Sequence, residues 1–297
     1  MRRILLTGKN GQVGFELQRL LPPLGEVVAL DVQDLDLASP DAIRAKVRTI
    51  KPQILVNAAA YTAVDKAESQ PELAMQINGV APGVLAEEAK RLNALLVHYS
   101  TDYVFDGTKS EPYNETDMPN PLSVYGRSKL AGDQAIQAVG APCYIFRTSW
   151  VYGARGQNFL RTMLRVGRER PELRIVNDQI GAPTWARFIA DMTAQVLSKV
   201  SGNPDQAKEK SGLYNLTASG STSWFGFAEA IFLEARSVTP NANVPKLIPI
   251  PTSSYPLPAR RPANSCLNNS TIIQAFDLTI PHWKAMLTEC IGQMIKD

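Results

Sequence analysis

The stretch ILLTGKNGQVGFELQRL, Ile4–Leu20, sets an apolar run, a glycine-rich turn and an amphipathic helix in direct succession. Ile4–Leu6 is continuously apolar, as a strand buried on both faces must be. Gly8, Gly11 and Gly14 follow at three-residue spacing, and Val13, Leu17, Leu20 and Leu21 recur on one helical face. Pro22, Pro23 and Gly25 then stop the helix. Gly8 lets the chain turn, Gly11 lets the backbone approach a pyrophosphate, and Gly14 lets helix and strand pack closely. The free N–H groups of the helix start face the phosphates.

The pattern repeats outward from this unit. Val27–Asp31 reads as a second strand. Ser39-Pro40-Asp41 is a helix start with a cap and a proline at the first helical position. Ile54–Ala60, Ala94–Ser100 and Cys143–Ser149 read as further strands. Helices are expected from about Pro71 to Leu92 and over 123–138. Apolar strands alternating five times with helices predict an α/β fold, a Rossmann-type doubly wound parallel sheet. Beyond Trp150 the rhythm changes. A helix over about 158–168, a strand at 173–176 and a helix over 184–200 precede a polar stretch, Ser201–Gly212, expected as a mobile surface loop. The strand LYNLTA, a helix opened by Ser221–Ser223, a proline-rich run IPIPTSSYPLPARRP and a last helix from about Pro281 complete the chain. The expected division is a dinucleotide-binding domain over 1–150 with part of about 176–222. A smaller interleaved lobe over about 151–175 and 223–297 would take the substrate.

Composition narrows the function. The net charge of +3 across 297 residues gives no basic surface for nucleic acid. Four arginines within Arg161–Arg170, interrupted by Glu169, read as a solvated helix face. Cys143, Cys266 and Cys290 are odd in number and far apart, neither a disulfide framework nor a zinc set. They suit a reducing cytoplasm. Two histidines, His98 and His282, supply poorly a metal site or a serine-type triad. The first ten residues hold too short an apolar run for a secretory signal, and no window is long enough for a membrane span.

Ligands of an open α/β sheet bind beyond the carboxyl ends of its strands. Asp31 ends the second strand, where an acid hydrogen-bonds an adenosine ribose. Lys9 in the turn is placed to meet a 2′-phosphate, so NADH and NADPH both stay open. Thr101 ends the fourth strand. In SVYGRSKLAG, Tyr125 and Lys129 stand four apart and share a helix face. Reducing a ketone by hydride creates an alkoxide that must be protonated. A tyrosine whose pKa is pulled down by a nearby ammonium is suited to give that proton, and Thr101 would hold the carbonyl oxygen.

The G-x-x-G-x-x-G turn, STDYVFDG, Y-x-x-x-K and RTSWVYG together resemble the extended short-chain dehydrogenase/reductase superfamily. Within it, GKNGQVGFEL, NAAAYTAVDKAE, VHYSTDYVFDG, VYGRSKLAGD, FRTSWVYG, NDQIGAPT and RPANSCLN resemble the dTDP-4-dehydrorhamnose reductase family, in order, from Arg3 to about Glu289 apart from the polar stretch near 201–212. The resemblance implies an oxidoreductase in which a nicotinamide hydride reduces the C4 ketone of dTDP-4-dehydro-β-L-rhamnose. That reaction is the last step towards the activated rhamnose of cell-surface glycans such as O-antigen. It implies Thr101, Tyr125 and Lys129 as the catalytic set. The cofactor is expected at Gly8, Asn10, Gly11, Gln12, Val13, Gly14, Asp31, Asp36, Leu37, Ala60, Tyr61, Thr62 and Tyr99, with Tyr125 and Lys129. The nucleotide sugar is expected at Thr101, Asp102, Tyr125, Trp150, Arg260 and Arg261, with at least one arginine on the diphosphate. The resemblance also admits a homodimer.

The family is described with Mg²⁺ held by glutamates. Glu16 and Glu289 match two of those positions, but Arg187 stands at the third. An arginine cannot ligate a cation, so no Mg²⁺ dependence is expected there. Two alternatives remain. A nucleotide-sugar 4-epimerase would share the cleft, whereas a 4,6-dehydratase would read Thr-Asp-Glu where this chain has Thr101-Asp102-Tyr103. A non-catalytic subunit resembling the regulatory subunit of methionine adenosyltransferase would need no intact catalytic trio.

Overall fold

A computed structural model describes residues 2–200, 202–238 and 244–296. The first half alternates strand and helix. β1 (Arg3–Thr7), α1 (Gln12–Leu20), β2 (Glu26–Leu30), α2 (Pro40–Ile50) and β3 (Ile54–Asn57) come first. Two short helices, α3 (Val64–Ala67) and α4 (Pro71–Met75), run through a π-helical turn at Gln76–Val80 into α5 (Ala81–Leu92). β4 (Leu95–Thr101), α6 (Val124–Val139) and β5 (Cys143–Thr148) follow. Ser39 and Ser123 cap α2 and α6, accepting from Ala42 N and Gly126 N.

The second half is built from shorter strands: β6 (Val151–Tyr152), α7 (Phe159–Glu169), β7 (Glu172–Val176), β8 (Ile180–Gly181), β9 (Thr184–Trp185), α8 (Ala186–Val200), α9 (Pro204–Glu209), β10 (Gly212–Asn215), β11 (Thr222–Ser223), α10 (Trp224–Val238), β12 (Lys246–Ile250), α11 (Ser270–Phe276) and α12 (Trp283–Lys296). The stretch expected as a polar loop therefore holds α9. Asn203 caps it, accepting from Gln206 N at 3.0 Å, and Pro204 starts it; Ser201 lies outside the described residues. The proline-rich run also conceals a strand, since β12 pairs in parallel with β7 through Pro249. A two-stranded sheet has only edges, where a missing N–H is tolerated.

Six strands form one parallel sheet in the order β10-β5-β4-β3-β1-β2. The chain proceeds in opposite directions on either side of β1, and this reversal opens a cleft at the carboxyl ends of β1 and β3. One face of the sheet buries Leu5, Leu55, Leu96 and Ile145 against α2, α5 and α6. The other buries Leu6, Val56, Val97 and Phe146 in a core that includes residues of α1 and α8 and continues into the second half through Tyr152, Trp185, Phe227 and Trp283. The remaining strands make three two-stranded pairs: β6 with β9, β7 with β12 and β8 with β11.

Candidate active site

The glycine-rich turn is as tight as its spacing suggests. Gly8 has φ +74°, and a Cβ on Gly14 would stand 1.9 Å from the Gly8 carbonyl oxygen. Only hydrogen at that position lets α1 start directly over the end of β1. The Asp31 carboxylate ties the turn down, accepting from Asn10 N at 2.8 Å and Val32 N at 2.7 Å. Lys9, the residue placed to meet a 2′-phosphate, is paired with Asp34 at 2.6 Å.

A cleft of ≈ 820 Å³ runs from this turn across the strand ends, a size suited to a small ligand or cofactor. Its walls include Gly8, Asn10, Gly11, Gln12, Val13, Asp31, Asp36, Leu37, Ala60, Tyr61, Thr62 and Tyr99, and further on Thr101, Asp102, Tyr125, Lys129 and Trp150. Gly14 packs behind the wall, against Gly8.

Thr101, Tyr125 and Lys129 converge at the inner end. The Thr101 and Tyr125 side chains are close enough to act on one another. Thr101 Oγ1 also accepts from Tyr103 N at 3.2 Å and donates to Asp102 Oδ1 at 3.1 Å. Asp102 Oδ2 is buried without a partner. Burial pushes the Asp102 carboxyl up to about 7 against these hydrogen bonds. A buried, unpaired acceptor beside a reactive tyrosine is a ready contact for a ligand hydroxyl.

Tyr125 departs from expectation. Burial raises its hydroxyl above the ordinary tyrosine value, the neighbouring Thr101 side chain lowers it, and Asp102 and Asp133 raise it further. The ammonium expected to pull it down is engaged with the sheet: Lys129 Nζ donates to Tyr99 O at 2.5 Å and lies 3.2 Å from His98 Nε2. Burial brings Lys129 itself down to about 8, and Asp133 one turn further along α6 holds it up.

Trp150 sits just past β5 at φ 48°, a strained backbone for a large side chain that costs about 1–3 kcal/mol. Its ring stacks on Trp224 at 3.6 Å and 9°, and Trp224 Nε1 donates to Gln179 Oε1 at 3.1 Å. Arg261 forms a two-point pair with Asp65, at 2.8 and 3.2 Å, and donates to the Ala259 carbonyl at 3.0 Å. Its fork thus braces the cleft wall instead of projecting into the cleft. Arg260 is exposed.

The sequence reading passed over several residues that shape this site. Asn78, in the π-helical turn, clamps Tyr61 through both backbone groups, accepting from Tyr61 N at 2.8 Å and donating to Tyr61 O at 3.0 Å; it also donates to Ser128 on α6 at 3.1 Å. Tyr103, Ser149 and Gln157 line the cleft. Tyr103 and Ser149 lie inside STDYVFDG and RTSWVYG, but no motif marks Asn78, Gln157 or Trp224. His98 left a signal as a polar residue directly after the apolar run ALLV.

The three positions compared with a metal site lie on three different helices. Glu16 on α1 is buried, Glu289 on α12 is exposed, and Arg187 on α8 lies over the Trp185 ring and reaches Gln293 at 3.4 Å. A guanidinium has no lone pair to give. Among the described residues no group of three or more His, Cys, Asp or Glu is placed to hold a metal ion, and no helix is long and apolar enough to cross a membrane.

A doubly wound parallel sheet, a glycine turn at its switch point and a Thr/Tyr/Lys cluster at the strand ends define an extended short-chain dehydrogenase/reductase. The family model described as the RmlD substrate binding domain matches residues 1–295. The chain is 51% identical over 295 residues to dTDP-4-dehydrorhamnose reductase of Burkholderia thailandensis, covering 99% of both. It is 49% identical to that of Escherichia coli K12, covering 98% of this chain and 97% of the other. The crystal structure of dTDP-4-dehydrorhamnose reductase from Bacillus anthracis in complex with NADP superposes with a TM-score of 0.89 at 34% identity, covering 99% of this chain and all of that one. The chain belongs to the dTDP-4-dehydrorhamnose reductase family.

Proposed function

We propose that this protein uses NADPH or NADH to reduce the C4 ketone of dTDP-4-dehydro-β-L-rhamnose to dTDP-β-L-rhamnose. The observation that carries the reading is the convergence of Thr101, Tyr125 and Lys129 on the wall of a cleft that begins at the glycine turn. A bound nicotinamide supplies the hydride. Thr101 and Tyr125 together hold the ketone oxygen. Tyr125 gives its hydroxyl proton to the oxygen as charge develops there, and Lys129 steadies the phenolate left behind. A tyrosine held above its ordinary value in the resting cleft keeps its proton until the reaction draws it off. Asp102 Oδ2 accepts from a sugar hydroxyl, and the Trp150 ring covers the apolar side of the deoxysugar. With Arg261 held by Asp65, Arg260 is the arginine left for the diphosphate. The names of the relatives support the substrate, and the NADP complex of the Bacillus anthracis protein supports the cofactor.

On this reading residues 1–150 with part of about 176–222 serve the dinucleotide, and about 151–175 and 223–297 serve the sugar nucleotide. The protein works in the cytoplasm, where three free cysteines are at home, and pairs as a homodimer, which sedimentation would check. The test is turnover: absorbance of the reduced nicotinamide should fall when the dTDP-4-keto sugar is added. No loss with either coenzyme would sink the reductase reading. Nicotinamide retained through purification and returned to the sugar would favour the epimerase.

A further inference from the structure

Thr7, Asn57 and His98 are neighbours in register on β1, β3 and β4. They follow the apolar row Leu5, Leu55 and Leu96 on the same face of the sheet. All three are buried, with exposures of 4%, 2% and 1%. Three polar side chains in consecutive central strands are costly unless they satisfy one another. Here they do. Thr7 Oγ1 is 2.6 Å from Asn57 Oδ1, Asn57 Nδ2 is 3.0 Å from His98 Nδ1, and His98 Nε2 is 3.2 Å from Lys129 Nζ. The row thus starts at the residue preceding the glycine turn and ends on the lysine beside Tyr125.

Two hydrogen placements fill this row completely, because an amide can be turned over and a neutral imidazole has two tautomers. In one, Thr7 donates to Asn57, Asn57 donates to His98 Nδ1, and His98 Nε2–H donates to an amine on Lys129. In the other, every donor is reversed. The Lys129 ammonium donates to His98 Nε2, His98 Nδ1–H donates to the Asn57 oxygen, and the Asn57 amide donates to Thr7 Oγ1. Each of the three contacts in the row has one donor and one acceptor in both placements. We propose that His98 is a positioning residue for Lys129, and that the Thr7–Asn57–His98 row reverses its donors as the lysine gains or loses its proton.

Burial, with the Lys129 charge behind it, holds His98 well below its usual value, so the ring is neutral and has a lone pair to offer. Other charges surround the lysine. Tyr125 and Asp133 lie on its own helix, with Arg147 of β5 against Asp133 at 3.3 Å. Tyr99 lies on β4, and Asp102 and Tyr103 lie on the turn after it. The helices packed on α6 carry Asp65 and Lys66 on α3, Glu72 on α4, and Glu87, Glu88, Lys90 and Arg91 on α5. Of these, Asp65 is held by Arg261, Glu88 by Arg48 and Arg91, and Lys90 by the Val139 carbonyl. Asp133 acts on the ammonium through space, whereas His98 supplies a direct acceptor besides the Tyr99 carbonyl. A hydrogen bond from a charged donor is stronger than one to a neutral amine. Loss of His98 should therefore disfavour the charged lysine.

The assignment rests on the role proposed for Lys129, but its test needs no turnover. The protein is labelled with ¹³Cε-lysine, and the Lys129 signal, identified by its loss in Lys129→Met, is titrated without substrate. His98→Leu should move the Lys129 midpoint down by about one pH unit, a tenfold change in proton affinity. His98→Gln, whose amide oxygen can replace the lone pair, should stay within about 0.3 unit. If His98→Leu does not fold, Asn57→Leu removes the acceptor that the Nδ1–H tautomer needs and should shift Lys129 the same way by about half a unit. The assignment is overturned if the leucine variants titrate with the wild type, or if His98→Gln shifts as far as His98→Leu. Failure of the reductase reading would instead appear as missing absorbance change with this titration intact.

Discussion

The cleft side of the central sheet and the short-stranded second half are held together in different ways. The sheet is ordered by repetition: apolar strands of similar length, parallel and in register, with helices packed on both faces. The second half is ordered by individual side chains. Asn215, at the end of β10, donates to Tyr113 O at 2.9 Å and Asn268 O at 3.1 Å. Asn269 accepts from Thr217 N and donates to Thr217 O, each at 3.0 Å. Asn264 donates to the carbonyls of Lys109 and Glu111. A periodic framework tolerates substitution wherever the period is kept, whereas a framework of single amide clamps fails one clamp at a time.

That contrast can be broken at stated points. The largest effect is expected in the cleft. Tyr125→Phe should lower kcat by about 10²–10⁴-fold while NADPH affinity, measured by fluorescence, changes little. An unchanged kcat would remove Tyr125 from its role. Gly14→Ala drives a Cβ into the Gly8 carbonyl and should cost about 3 kcal/mol or more in denaturant unfolding, because no side chain can move aside. Asn215→Ala leaves the half-buried Asn268 carbonyl without its donor and takes one of two donors from the Tyr113 carbonyl, and should cost about 1–2 kcal/mol. A loss as small as that of a surface Asn would mean the amide clamps do not hold the second half.

A smaller effect separates activity from stability. Lys129 loses its proton above about 8, so kcat should fall by about tenfold per pH unit on that side. Stability should move the other way for this group. A lysine whose folded value lies below its ordinary 10.5 costs stability while both states are charged, and the cost is relieved as pH rises from 8 towards 10.5. A kcat flat to pH 9.5 would show that the ammonium is not needed. The smallest effect is expected outside the cleft. EDTA should leave the melting temperature and activity unchanged, and a Mg²⁺-dependent gain lost in Glu16→Gln would show that Arg187 does not exclude the ion.

The same contrast explains what the sequence discloses. The glycine turn, the strand ends and the Tyr125–Lys129 spacing announce themselves because each is a local pattern. Every expected cofactor residue but Gly14 lines the cleft. The Asp65–Arg261 pair, the Trp150–Trp224 stack and the Asn78 clamp join residues far apart in sequence, so no window contains both partners. Arg261 was legible as a candidate arginine, but its pairing with Asp65 was not. α9 and β12 were hidden by composition, one in a polar stretch and the other among prolines, although the Asn203-Pro204 start was there to read.

The sixth strand has a consequence for how the molecule is made. β10 pairs with β5, yet residues 149–211 separate them in the chain. As the polypeptide leaves the ribosome, Cys143–Thr148 emerges as a bare, largely apolar edge and must wait for that whole intervening segment before its partner arrives. Until then the edge is open to pairing with another nascent chain. Circularly permuted genes that deliver Gly212–Asn215 earlier should therefore give more soluble protein at high expression, even where the finished enzyme is no more stable.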